Sequence, residues 1–103
     1  MGIDIEPRHL KIVNNILKEN IGDLNAQVFA FGSRTNSKAR QYSDLDLTID
    51  CKGQKLPFEI LAKLSYSFEN SLLPYKVDIV DLNNISKEFK KIIKNDLVQL
   101  KYN

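Results

Sequence analysis

Hydrophobic and polar positions change their spacing several times along the chain, and those changes outline its elements. From about Arg8 to Asn20, Leu10, Ile12, Val13, Ile16 and Leu17 fall on one helical stripe, and Pro7 suits the start of a helix. Asn20-Ile21-Gly22-Asp23 is expected to end it. Gln27-Val28-Phe29-Ala30-Phe31 is short, apolar and rich in strand formers, so it reads as a buried strand. Gly32-Ser33 breaks that strand sharply. The segment from Ser33 to Ser43 is polar and basic, with Arg34, Lys38 and Arg40. It has room for a short helix, but no periodicity marks one.

Asp44-Leu-Asp-Leu-Thr-Ile-Asp50 alternates with period two, the clearest strand in the sequence. Leu45, Leu47 and Ile49 point one way; Asp44, Asp46, Thr48 and Asp50 point the other. After a turn at Gly53-Gln-Lys, Pro57 opens a helix to about Leu72, with Ile60, Leu61, Leu64 and Phe68 on its apolar side. Pro74 stops it. Lys76 to Leu82 reads as a third strand and Asn83-Asn84 as a turn. Ser86 is a plain cap candidate for a last helix through about Asn95, with Phe89, Ile92 and Ile93 on its apolar stripe. Leu97 to Tyr102 has the alternation of a short final strand. The order predicts an α+β fold: a small mixed β-sheet with helices packed on one face. The carboxylate face of the second strand is then expected to stay open to solvent or ligand.

Composition adds limits. The 103 residues fit a single domain, 1–103, with one modest core. With 43% hydrophobic and 27% charged residues, the balance is that of an ordinary soluble protein. A net charge of +2 gives no case for nucleic acid as partner. Cys51 is the lone cysteine, which excludes a disulfide within the chain, speaks against a thiolate metal cluster and suits a reducing compartment. The first residues are acidic, with no apolar run of a signal peptide, and no stretch approaches the roughly 20 apolar residues of a membrane span. A cytoplasmic protein without a membrane partner is expected.

The candidate chemistry lies in the second strand. Aspartates at i and i+2 share a face about 6–7 Å apart, so Asp44 and Asp46 can converge on one hard cation. Mg²⁺ sites use carboxylate pairs, with water and substrate phosphate filling the other positions. A third carboxylate from a neighbouring strand would complete a two-metal site. An isolated Asp-x-Asp is more often a solvated strand face, and an isolated Gly-Ser is usually a turn. Here the pair follows Phe31-Gly32-Ser33 closely, and a glycine at a strand end lets backbone approach a phosphate while serine and successive N–H groups bind its oxygens.

Gly32-Ser33-Arg34, Ala39-Arg40 and Ser43-Asp44-Leu45-Asp46-Leu47 together resemble the signature of the minimal nucleotidyltransferases, relatives of DNA polymerase beta in fold. Many of these are MNT antitoxins paired with HEPN-domain toxins. The resemblance covers nearly the whole chain and implies the polymerase beta-like nucleotidyltransferase fold. It implies that Gly32 and Ser33 hold a triphosphate, with Arg34, Arg40 and Ser43 completing the nucleotide site. It implies that Asp44, Asp46 and Asp78 bind Mg²⁺ or Mn²⁺, and that Asp78 is the third carboxylate and a candidate base. Strand phase supports Asp78 over Asp81, because the two face opposite sides and Val77 and Ile79 share the side of Asp81. Ser37 stands where related chains often carry glycine.

Other residues read as structural or solvent-facing. Arg34 and Arg40 suit phosphate oxygens, and the alternative for each is an exposed loop arginine. Asp50 reads as surface, His9 as exposed, Cys51 as an inert thiol, Tyr42 as loop packing with some capacity to stack on a base, and the Lys87, Lys90, Lys91 and Lys94 series as the wet side of a helix. The resulting expectation is a metal-dependent enzyme moving AMP from ATP to a hydroxyl, on a tyrosine of a HEPN-type toxin, within a homo- or hetero-oligomer. The alternatives are a non-catalytic module that neutralises its partner by contact, and a transferase acting on a small molecule or RNA with a second subunit.

Overall fold

The computed structural model describes residues 3–35, 39–40 and 42–102. Ser37 and Lys38 lie outside the described residues. Helix α1 spans Pro7–Ile21, with proline in its first turn. It ends within the expected Asn20-Ile21-Gly22-Asp23 segment, and Ile21 carries the stripe of Val13, Ile16 and Leu17 into the core, where it is fully buried. Asn20 Nδ2 donates back to the Ile16 carbonyl at 2.9 Å. The chain turns at Asn25, which takes the left-handed conformation after a 3₁₀ turn at Gly22–Leu24.

Strand β1 is Gln27–Phe31 and β2 is Leu45–Asp50. Helix α2 covers Phe58–Glu69, three residues short of the expected Leu72. Ser71 takes the Phe68 carbonyl with both its amide and its hydroxyl, and Pro74 disfavours a helical residue before it, so Leu72 is left 90% exposed. Strand β3 is Val77–Asp81, followed by a 3₁₀ turn at Leu82–Asn84. Helix α3 is only Lys87–Ile93; the Ser86 hydroxyl accepts from the Phe89 amide at 3.1 Å, as its cap position requires. Ile92 is a correction: it is 72% exposed, because so short a helix turns Phe89 and Ile93 inward, four residues apart, and leaves Ile92 to one side. The tail forms β4, Val98–Leu100, and beyond it Tyr102 is buried with its hydroxyl donating to the Ala26 carbonyl at 2.5 Å.

The four strands lie in the order β3-β2-β1-β4. β1 is antiparallel to β2 and to β4, while β2 and β3 are parallel through the α2 crossover, so the sheet is mixed as expected. Leu45, Leu47 and Ile49 are fully buried and join Val28, Ala30 and Leu100 in one core with α1 and α2. α3 lies on the opposite face, where the Phe89 ring meets Phe31 edge-on at 5.9 Å and Ile93 is buried. Thr48 on that face is also fully buried. The carboxylate face is therefore open at the Asp46 end rather than along its whole length. No described helix is long and apolar enough to cross a membrane.

Candidate active site

Strand register brings the site together. Asp46 stands beside Asp78 on the parallel β2–β3 ladder and opposite Phe31 on the antiparallel β1–β2 ladder. Aligned partners in a sheet point to the same side, so Asp46 and Asp78 share a face, and the chain leaving Phe31 passes directly over it. Gly32 is the residue that passes. Its φ of +80° is a left-handed conformation, and a Cβ at this position would come 2.6 Å from Asp46 Oδ2. Both facts call for glycine at the point where backbone and carboxylate meet. Ser33 follows in the 3₁₀ turn Gly32–Arg34, which Thr35 closes by donating both its amide (3.0 Å) and its hydroxyl (2.9 Å) to the Gly32 carbonyl.

The carboxylates interact. Burial, then Asp78, then Asp44 push the Asp46 carboxyl above its ordinary value of 3.8. Asp44 is exposed and Asp78 is 41% exposed, with Lys76 Nζ 3.3 Å from its Oδ1. Among the described residues no three His, Cys, Asp or Glu side chains close into a cage for a metal ion. An open set of hard oxygens of one sign still fits a cation such as Mg²⁺, which commonly takes one or two carboxylates and draws its other ligands from phosphate and water.

The flanking residues divide. Arg34 is only 6% exposed. Its guanidinium is turned inward, to the Ser43 carbonyl from Nε (3.1 Å) and Nη2 (2.8 Å), to the Asp4 carbonyl from Nη1 (2.9 Å), and over the Tyr75 ring at 4.0 Å. Ser43 serves a turn, its hydroxyl accepting from the Arg40 amide at 2.7 Å. Arg40 and Tyr42 are exposed. Both border a cleft of about 650 Å³ whose lining includes Arg34, His9 and Tyr75 but none of the three aspartates. A second cleft, about 520 Å³, runs between the end of α2 and β3 and does take in Asp78 and Lys76.

Asp81 is buried on the core side, accepting from the amides of Leu56 (2.7 Å) and Asn83 (3.1 Å). Asp50 is held by the Gly53 amide (3.0 Å) and Asn83 Nδ2 (2.9 Å). Those hydrogen bonds, from Asn83 foremost, lower its carboxyl value. His9 is not exposed as expected: its side chain is 13% exposed and its ring meets Tyr75 edge-on at 5.6 Å. Cys51 is a free, half-buried thiol. Sequence reasoning missed Tyr75, whose one signal was an aromatic residue between Pro74 and a strand. It also missed Thr35 as the latch of the glycine turn.

Residues 11–101 match the family model described as polymerase beta, nucleotidyltransferase. The chain is 40% identical over 92 residues to a Haemophilus influenzae protein named "Probable protein adenylyltransferase MntA", covering 89% of this chain and 78% of that one. Its fold is similar to crystal structures of mutants of the toxin-antitoxin MntA-HpeT. One has a TM-score of 0.67 at 25% identity, covering 94% of this chain and 72% of the other. A second has a TM-score of 0.65 at 19% identity, covering 85% and 72%. A toxin-antitoxin crystallised with AMP-PNP is similar at a TM-score of 0.66 and 21% identity, covering 85% and 72%.

Proposed function

The chain belongs to the polymerase beta nucleotidyltransferase family, and from that premise we propose that it transfers AMP from ATP to a hydroxyl on a partner protein, acting as the antitoxin to a HEPN-type toxin. The observation that carries this reading is the juxtaposition of Gly32 with Asp46 and of Asp46 with Asp78, which sets a backbone turn against a cluster of carboxylates. The adenylyltransferase named among its relatives supports a protein acceptor, and the AMP-PNP complex of a structural neighbour supports ATP.

In this reading the turn at Gly32-Ser33 binds the triphosphate through backbone N–H groups and the Ser33 hydroxyl, and the exposed Arg40 supplies a cation for its outer oxygens. Asp44, Asp46 and Asp78 would hold Mg²⁺ or Mn²⁺, which would supply positive charge to the phosphates and the leaving pyrophosphate. Asp78 accepts the proton of the acceptor hydroxyl. The hydroxyl oxygen bonds to the α-phosphorus, the bond from that phosphorus to the bridging oxygen of the β-phosphate breaks, and pyrophosphate departs. Asp78 suits that step because its side chain is 41% exposed and it borders the cleft along β3. Its contact with Lys76 is an exposed pair, weak enough to be exchanged for substrate.

The test is to co-express the chain with a HEPN-type toxin and weigh the toxin by intact-mass spectrometry. Wild type is expected to add the mass of AMP, and peptide mapping to place it on a tyrosine. Asp46→Asn should leave the toxin unmodified. A toxin that stays unmodified yet is silenced by the wild type would instead support neutralisation by contact.

A further inference from the structure

Arg34 is the residue whose place in the structure departs most from its reading in the sequence. We infer that Arg34 is a positioning residue: its buried guanidinium ties together the three segments that carry Ser33, Asp44 and Asp78. The inference rests on the site assigned under the proposed function but goes beyond it, since it gives Arg34 no contact with the nucleotide.

The contacts reach separate segments of the chain. Arg34 itself follows Ser33 in the glycine turn. Its Nε and Nη2 both donate to the Ser43 carbonyl, one residue before Asp44. Its charge lies 4.0 Å from the centre of the Tyr75 ring, three residues before Asp78 at the start of β3. Nη1 donates to the Asp4 carbonyl, and the Asp4 amide donates to the Arg34 carbonyl at 2.7 Å, which anchors the N-terminal segment to the same point. Burying a guanidinium is costly unless its donors and its face are satisfied. Here they are met by carbonyl oxygens and an aromatic face, the partners that suit a planar, delocalised cation. A rigid fork held on several sides fixes distances in a way that a flexible ammonium cannot. Displacements of about 1 Å in a reacting site can cost on the order of 100-fold in rate. The loop from Ser33 to Asp44 has no strand or helix of its own beyond the first turn among its described residues, so Arg34 supplies the tie that the sheet does not.

The experiment uses the full chain as wild type, Arg34→Lys and Tyr75→Leu. Three quantities are read: kcat and KM for ATP in transfer to the toxin, Mn²⁺ affinity without nucleotide by electron paramagnetic resonance, and the melting temperature. Arg34→Lys keeps a positive charge but loses the fork. It is expected to lower kcat by about tenfold or more, with a much smaller change in KM for ATP, and to weaken Mn²⁺ binding. Tyr75→Leu should move the same quantities in the same direction by less. A purely structural role would lower the melting temperature and leave kcat per folded molecule and Mn²⁺ affinity unchanged; that result overturns the inference. A rise in KM for ATP at constant kcat overturns it too, since it marks a direct phosphate contact. Should wild type transfer nothing, the proposed function fails, while Mn²⁺ affinity still decides the role of Arg34. Should Arg34→Lys not fold, wild-type Mn²⁺ affinity in Tyr75→Leu overturns it. A wild type that binds no Mn²⁺ removes the site and the inference together.

Discussion

Asp46 carries a conflict between its charge and both burial and like-charged neighbours. It is half-buried against Gly32 with two other carboxylates near, and its carboxyl value is raised by burial, Asp78 and Asp44. A group raised in the folded state contributes stability that is complete below its unfolded value and is lost as pH rises through its folded value. At neutral pH the ionised Asp46 therefore opposes folding of the metal-free protein. Asp46→Asn is expected to raise the melting temperature at pH 7 in a chelator, and the gain should vanish near about pH 3, where the unfolded chain also holds the proton. A melting temperature at pH 7 below that of wild type would contradict this. Gly32→Ala moves stability the other way. A left-handed alanine costs about 1–2 kcal/mol, and its methyl would meet the Asp46 carboxylate, so urea unfolding should show at least that loss together with loss of transfer. The approach of Gly32 to Asp46 was legible in the sequence because residue type and spacing pointed to it. The inward turn of Arg34 was not, since an arginine in a basic, polar loop looks the same whether its guanidinium meets water, a phosphate or a carbonyl.

Among the elements, the core-facing strands were the most legible and the helix ends the least. Alternation alone placed Leu45, Leu47 and Ile49 inside and Asp46 outside, and strand phase placed Asp78 and Asp81 on opposite sides. Helix ends depend on individual hydrogen bonds and on burial of the next residue. α1 ends in the expected segment, with Ile21 entering the core, while Ser71 shortens α2 by taking the Phe68 carbonyl. Ser86 is the cap whose position the sequence did mark. Ser86→Ala should lower stability by about 1 kcal/mol in chemical denaturation and leave transfer intact, because α3 carries none of the candidate site residues.

At the level of the whole molecule, the mixed sheet explains how so small a chain assembles the candidate site. Parallel pairing of β2 with β3 brings together aspartates 32 positions apart, and antiparallel pairing of β1 with β2 returns the glycine turn to the same end. The tail completes the sheet from the other side, and Tyr102 fastens it to Ala26. Tyr102→Phe should cost about 1 kcal/mol with unaltered kcat, measured by urea unfolding and transfer rate. What the sequence could not convey is how α3 closes part of the carboxylate face, because the Phe31–Phe89 contact joins residues from two separate patterns. The most direct test of the central claim is label transfer from ATP in Mg²⁺ to a purified HEPN-type toxin, comparing an α-phosphate label with a γ-phosphate label and using Asp44→Asn/Asp46→Asn as control. Label on the toxin from the α-position only, and with wild type only, is the expected result. Label from the γ-position, or equal α-label with the double variant, would contradict nucleotidyl transfer by these carboxylates.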